Sequence, residues 1–181
     1  MIQTFMDRLH ALIKWINIGA LWVAGTAMVL MAAHVSFDAF GKYLFSMPIP
    51  ATLEVVAYYY MPAVAALVIA HVQINDGHVA LTMLFDAFPK AVQRVILIVN
   101  GLLMIAFIGL IAWLAGREAL RKFDIGEYMF GEYPIIIWPG RFIFTFGLAF
   151  MCLVIFAKVL DLIVLATKND PKDSPAMGAK A

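Results

Sequence analysis

Between Arg94 and Arg117 the chain runs from Val95 to Gly116 without a charged residue. At 1.5 Å rise per residue, a helix over this stretch crosses a hydrocarbon core of roughly 30 Å. Three more runs of similar character lie at about 15–37, 53–73 and 143–166. Composition agrees with that reading. Hydrophobic residues make up 64% of the chain and charged residues only 14%, where a soluble domain carries about 25%. The expected fold is an all-α integral membrane protein with four transmembrane helices over residues 15–166. The formal net charge of +1 argues against nucleic acid as a partner.

The turn between the first two runs holds most of the punctuation. Pro48 and Pro50 push Met47 and Ile49 away from helical backbone, so the first helix should end before them. Thr52 is placed to cap the second helix, and Glu54 falls in its first turn, where the helix dipole favours a carboxylate. Pro62 should kink this second span.

Flanking segments read as interfacial. In residues 1–14, Ile2, Phe5, Met6, Leu9, Leu12 and Ile13 recur at helical spacing, which suits an amphipathic helix lying on the membrane. In the connector 77–88, Leu81, Leu84, Phe85 and Phe88 form a similar stripe and are candidate interfacial anchors. Pro89 ends that segment and is suited to open the third span. The connection 117–141 carries Phe123, Tyr128, Phe130, Tyr133 and Trp138, half of an aromatic belt, with Trp138 a further anchor. Residues 167–181 read as a disordered tail.

Four spans put both termini on one side. Eight basic residues lie there (Arg8, Lys14, Lys90, Arg94, Lys158, Lys168, Lys172 and Lys180) against five opposite (Lys42, Arg117, Arg121, Lys122 and Arg141). The positive-inside bias then makes the termini cytoplasmic.

Chemistry is sparse. Neither a phosphate-binding glycine loop nor an HExxH pattern is present, and Cys152 is the single cysteine. Catalysis has little to stand on. A bis-histidine haem is the alternative that the four histidines raise, as in a cytochrome b-type anchor of a redox enzyme. His34 near one end of span one and His71 near the opposite end of antiparallel span two are badly placed to share an iron. Lys158 and Asp161, three apart, have two readings, a local ion pair or contacts to a partner subunit, with the local pair favoured. Tyr58, Tyr59 and Tyr60 cannot share one helix face. Lys42 and Glu54 have two readings: headgroup and dipole complements, or ion pairs to a partner subunit.

The order Lys42, Tyr43, Phe45, Pro48 and Glu54, followed by Gly77-His78-Val79 after span two, resembles the small membrane subunit of tripartite ATP-independent periplasmic (TRAP) transporters, the DctQ-like family. The resemblance covers about Trp15 to Ala166, and the family usually has Arg at the place of Lys42. It implies a component of a sodium-coupled secondary transporter in a bacterial or archaeal cytoplasmic membrane. A large multi-spanning subunit would carry solute and sodium, and an extracytoplasmic binding protein would deliver organic acids or related solutes. The small subunit would widen the stationary scaffold and help dock the binding protein, with no cofactor of its own. Lys42, Tyr43, Glu54 and Tyr59 are then the candidate partner contacts, with membrane lipids around the bundle.

Overall fold

The computed structural model describes residues 2–75, 88–129 and 134–167. Helix α1 runs unbroken over Ile2–Phe45. The expected interfacial helix and first span are therefore one helix. Neither Pro nor a Gly pair interrupts the chain near Lys14, and lone Gly19 and Gly25 each cost only about 1 kcal/mol relative to Ala. At 1.5 Å per residue α1 is about 65 Å long, well beyond one bilayer core.

The turn after α1 is tightly bonded. Ser46 takes a left-handed φ of 54°, and the Met47 N–H donates to Gly41 O at 3.0 Å. Gly41 must stay glycine for this closure, since a Cβ there would lie 2.6 Å from Met47 O. The Ile49 N–H donates to Asp38 Oδ1 at 2.7 Å. Helix α2 (Thr52–Val55) is entered through Ala51 at φ 61°, so Thr52 is the first helical residue and not the cap. Its hydroxyl donates backwards to Ile49 O at 3.1 Å, which corrects the capping role expected of it.

A π-helical turn, Val56–Tyr60, joins α2 to α3 (Met61–Ile74). Pro62 explains its position. An α-helix needs an N–H at residue 62 for the Tyr58 carbonyl, and proline has none. The register widens by one residue just before it, with the Met61 N–H bonding Val56 O. Helix α4 (Lys90–Asp124) follows Pro89 and overruns the charge-free stretch by two turns at its far end. It stops in a Schellman arrangement: Gly126 at φ 60°, its N–H on Phe123 O, and the Glu127 N–H on Lys122 O. Strands β1 (Tyr128–Met129) and β2 (Ile135–Ile136) then pair antiparallel, Tyr128 opposite Ile136, before α5 (Trp138–Thr167).

Among the described residues, four helical segments are long and apolar enough to cross a membrane. Helix α5 is the centre. It packs on α4 on one side and on α3 on the other, and α1 packs mainly on α3. Phe150, Met151, Val154, Ile155, Ala157 and Val159 of α5 are buried with Ala70 of α3 and Ile13 of α1. Higher up, Ala20 and Ala24 of α1 meet Ala63 and Leu67 of α3. Hydrophobicity cannot drive helices together inside lipid, so van der Waals fit must, and small residues permit it. Gly140 and Gly147 supply that fit on α5: an added Cβ would lie 1.9 Å from Tyr58 O and 2.3 Å from Ala66 O respectively. By contrast α4 turns Val95, Leu103, Phe107, Leu110 and Trp113 outward.

Candidate functional site

Two polar assemblies close the bundle, one at each end. The hairpin end holds the turn between α1 and α2 together with the α4–α5 connection. There Glu127 accepts from Arg141 Nε at 2.7 Å and Nη2 at 3.0 Å, a two-pronged guanidinium–carboxylate contact. Lys122 Nζ adds a third contact to Glu127 at 2.8 Å. The Glu127 side chain is only 15% exposed. The Arg141 hydrogen bonds hold its carboxyl below the usual carboxylate range, against the opposing pull of desolvation, and Lys122 adds to the effect. Beside this cluster Arg121 pairs with Glu118 at 2.8 Å, one helical turn apart. Trp138 stands edge-on to Phe123 at 4.8 Å and to Phe142 at 6.0 Å.

The π-helical turn distributes its three tyrosines among the other elements. Tyr58 lines a cleft of about 300 Å³ with Pro62, Ala115, Glu118, Arg141 and Phe144. The Tyr59 hydroxyl donates to the Ile136 carbonyl of β2. Tyr60 meets His34 of α1 edge-on at 6.1 Å. A π register re-aims side chains relative to an α-helix, and here it ties one segment to all its neighbours.

At the other end, where the chain's terminal segments enter and leave, α5 bonds to α3 and to α1. Lys158 Nζ donates to Gln73 O at 2.6 Å, placing a cation on the C-terminal carbonyls of α3. Asp161 accepts from His10 Nε2 of α1 at 2.9 Å. The expected Lys158–Asp161 pair is thereby corrected: each side chain turns to a different helix. His10 Nδ1 lies 2.8 Å from Met6 O one turn earlier, so the ring sits between its own helix and Asp161. His71 is held between the amides of Asn17 at 3.1 Å and Asn75 at 3.1 Å. His71 thus lies level with Asn17, about 25 Å along α1 from His34. That separation keeps the two imidazoles from one iron.

The residues singled out in the sequence separate into groups. Lys42 is exposed in the last turn of α1, and Tyr43 beside it is 84% exposed. Glu54 is half-buried in the first turn of α2, and among the described residues neither it nor Lys42 forms an ion pair. Tyr59 is engaged within the chain. Trp138 is half-buried in its aromatic cluster, and Phe88 is 41% exposed. Leu81, Leu84, Phe85 and the Gly77-His78-Val79 step lie outside the described residues. The sequence reading missed Glu127, Arg141 and Tyr58. Charge opposite charge across the α4–α5 connection was the available signal, and only the Gly126 turn and the short ladder turn it into contact.

Comparison with known families matches residues 31–165 to the tripartite ATP-independent periplasmic transporters, DctQ component. Searches of curated proteins and of solved structures found no match. The matched region runs from the middle of α1 to the end of α5 and so takes in both the hairpin end and the bundle core. On that match, covering well over half its length, the chain belongs to the DctQ family of TRAP transporter components, the small membrane subunits of these transporters.

Proposed function

We propose that this subunit is the fixed frame of a sodium-coupled transporter for organic acids or related solutes. In this reading the large subunit carries solute and sodium, this chain binds no cofactor, and the hairpin end faces outward and helps dock the binding protein. The termini are then cytoplasmic and the membrane is the bacterial or archaeal cytoplasmic membrane. One observation carries the reading. The centre of the bundle is filled by Phe150, Met151, Val154 and Ile155, while charged side chains among the described residues stand at its two ends. Such a core offers a solute no polar route, but it makes a stiff wall for a moving neighbour. Large apolar side chains on α1 and α4, such as Trp22 at 75% and Phe107 at 66% exposure, are free to meet lipid or a second membrane subunit.

Lys42, Tyr43 and Glu54 are the proposed contacts to the partners, and Leu81, Leu84, Phe85, Phe88 and Trp138 the proposed anchors that resist tilting. Charge substitutions at Leu84 and Phe85 should weaken transport while leaving subunit binding in place. The test is sodium-driven uptake into proteoliposomes holding the large subunit and binding protein, with and without this chain. Uptake that depends on the chain supports the reading. Equal uptake in its absence overturns it. The haem-anchor alternative has no comparable support, given the His34–His71 separation.

A further inference from the structure

The cleft at the hairpin end faces two opposite charges that are not exhausted by their internal partners. Arg141 spends Nε and one Nη2 hydrogen on Glu127, leaving three of its five N–H donors. Glu118 gives Oε1 to Arg121, and among the described residues its Oε2 makes no hydrogen bond. Both line the same cleft with Tyr58, while Pro62, Ala115 and Phe144 form its apolar walls. Ala115 belongs to the last turn of the charge-free run of α4, and Glu118 follows one turn later. The cleft therefore straddles the boundary between hydrocarbon and headgroups, apolar below and charged above.

We propose that this cleft binds a zwitterionic phospholipid with a primary ammonium headgroup, the phosphate on Arg141 and the ammonium on Glu118. Charge complementarity selects that class. A purely anionic headgroup would bring a second negative charge to Glu118, and a quaternary choline has no N–H to donate to it. The glycerol and upper acyl carbons then cover Pro62, Ala115 and Phe144. This places an ordered lipid against the π-helical turn, where α3, α4 and α5 meet.

The experiment is native mass spectrometry of the full chain, purified in mild detergent, stripped of lipid, and offered phosphatidylethanolamine, phosphatidylcholine or phosphatidylglycerol in turn. The ethanolamine lipid should bind about tenfold more tightly than either competitor, and Glu118→Gln should erase the preference. Ala115→Phe, which fills the apolar wall without touching a charge, should reduce retention of the ethanolamine lipid by a similar factor. Equal binding of all three lipids would overturn the proposal, as would a preference unmoved by both substitutions. Repeating the measurement on the complex with the large subunit gives a further check. Retention of the lipid there agrees with the proposal, and its displacement on assembly would show the cleft to be a subunit contact instead.

Discussion

Gly147 is the sharpest test of how the bundle is held. An added Cβ would lie 2.3 Å from Ala66 O and 2.7 Å from Ala66 Cβ, where ordinary contact begins at 3.4 Å. Both obstacles belong to the α3 backbone or its first side-chain atom, so neither can swing aside. Gly147→Ala must push α3 and α5 apart by about 1 Å, and overpacking of this kind costs about 1–3 kcal/mol. Gly109→Ala is the matched control. Nothing lies within 4 Å of its added Cβ, and helix propensity favours the change by up to about 1 kcal/mol. The same chemical substitution should thus have opposite signs at the two positions. Cys152, half-buried on α5 and the single cysteine, supplies a native reporter for thermal unfolding by a thiol-reactive dye in detergent. At about 2–4 °C per kcal/mol, Gly147→Ala should lower Tm by roughly 2–12 °C while Gly109→Ala leaves it level or raises it slightly. Equal shifts for the two variants would refute the claim that glycine fit sets the α3–α5 distance.

Three other outcomes follow from the end assemblies. Glu127 has a folded pKa below its unfolded value of about 4.3, so its contribution is complete above that value and is lost as pH falls through the folded pKa. Acid should therefore lower the wild-type Tm more than that of Glu127→Gln, and parallel pH profiles would contradict this; at neutral pH the pair is worth about 1–3 kcal/mol. Tyr59→Phe should cost about 0.5–1.5 kcal/mol by removing the bond to Ile136 O, visible as faster proteolysis of the α4–α5 connection. Unchanged proteolysis with weakened partner binding would return Tyr59 to the contact role expected of it from sequence. Reversing Lys42 and Glu54 together should reduce assembly with the large subunit or the binding protein without lowering Tm, since neither side chain is ion-paired within the described residues.

The spans were legible because the membrane imposes a demand that sequence meets directly: long runs without charge. The end of α1 was also legible, since Pro48 and Pro50 restrict the backbone whatever surrounds them. Features that depend on two distant segments were not. Asp161 lies within reach of Lys158 by helical spacing, yet His10, far away in sequence, takes it because α1 runs on past Lys14 and along α5. The π-helical turn follows from the missing N–H of Pro62, but a kink was the more general expectation, and sequence alone does not choose between a bend and a widened register. Thr52 failed as a cap because Ala51 enters the helix from left-handed backbone, a choice made by the turn as a whole. At the site, exposure of Lys42 and Tyr43 agrees with surface roles, whereas the Glu127–Arg141 contact needed the Gly126 turn to exist first.

As a member of the DctQ family, this chain should work as one membrane component of a larger transporter. Its most direct test is co-purification of the tagged chain from native membranes in mild detergent, read by absolute mass and visible absorbance. A much larger hydrophobic partner in fixed stoichiometry and the absence of a Soret band are the expected results. A chain that emerges alone from several detergents, or a sample carrying haem, would contradict it.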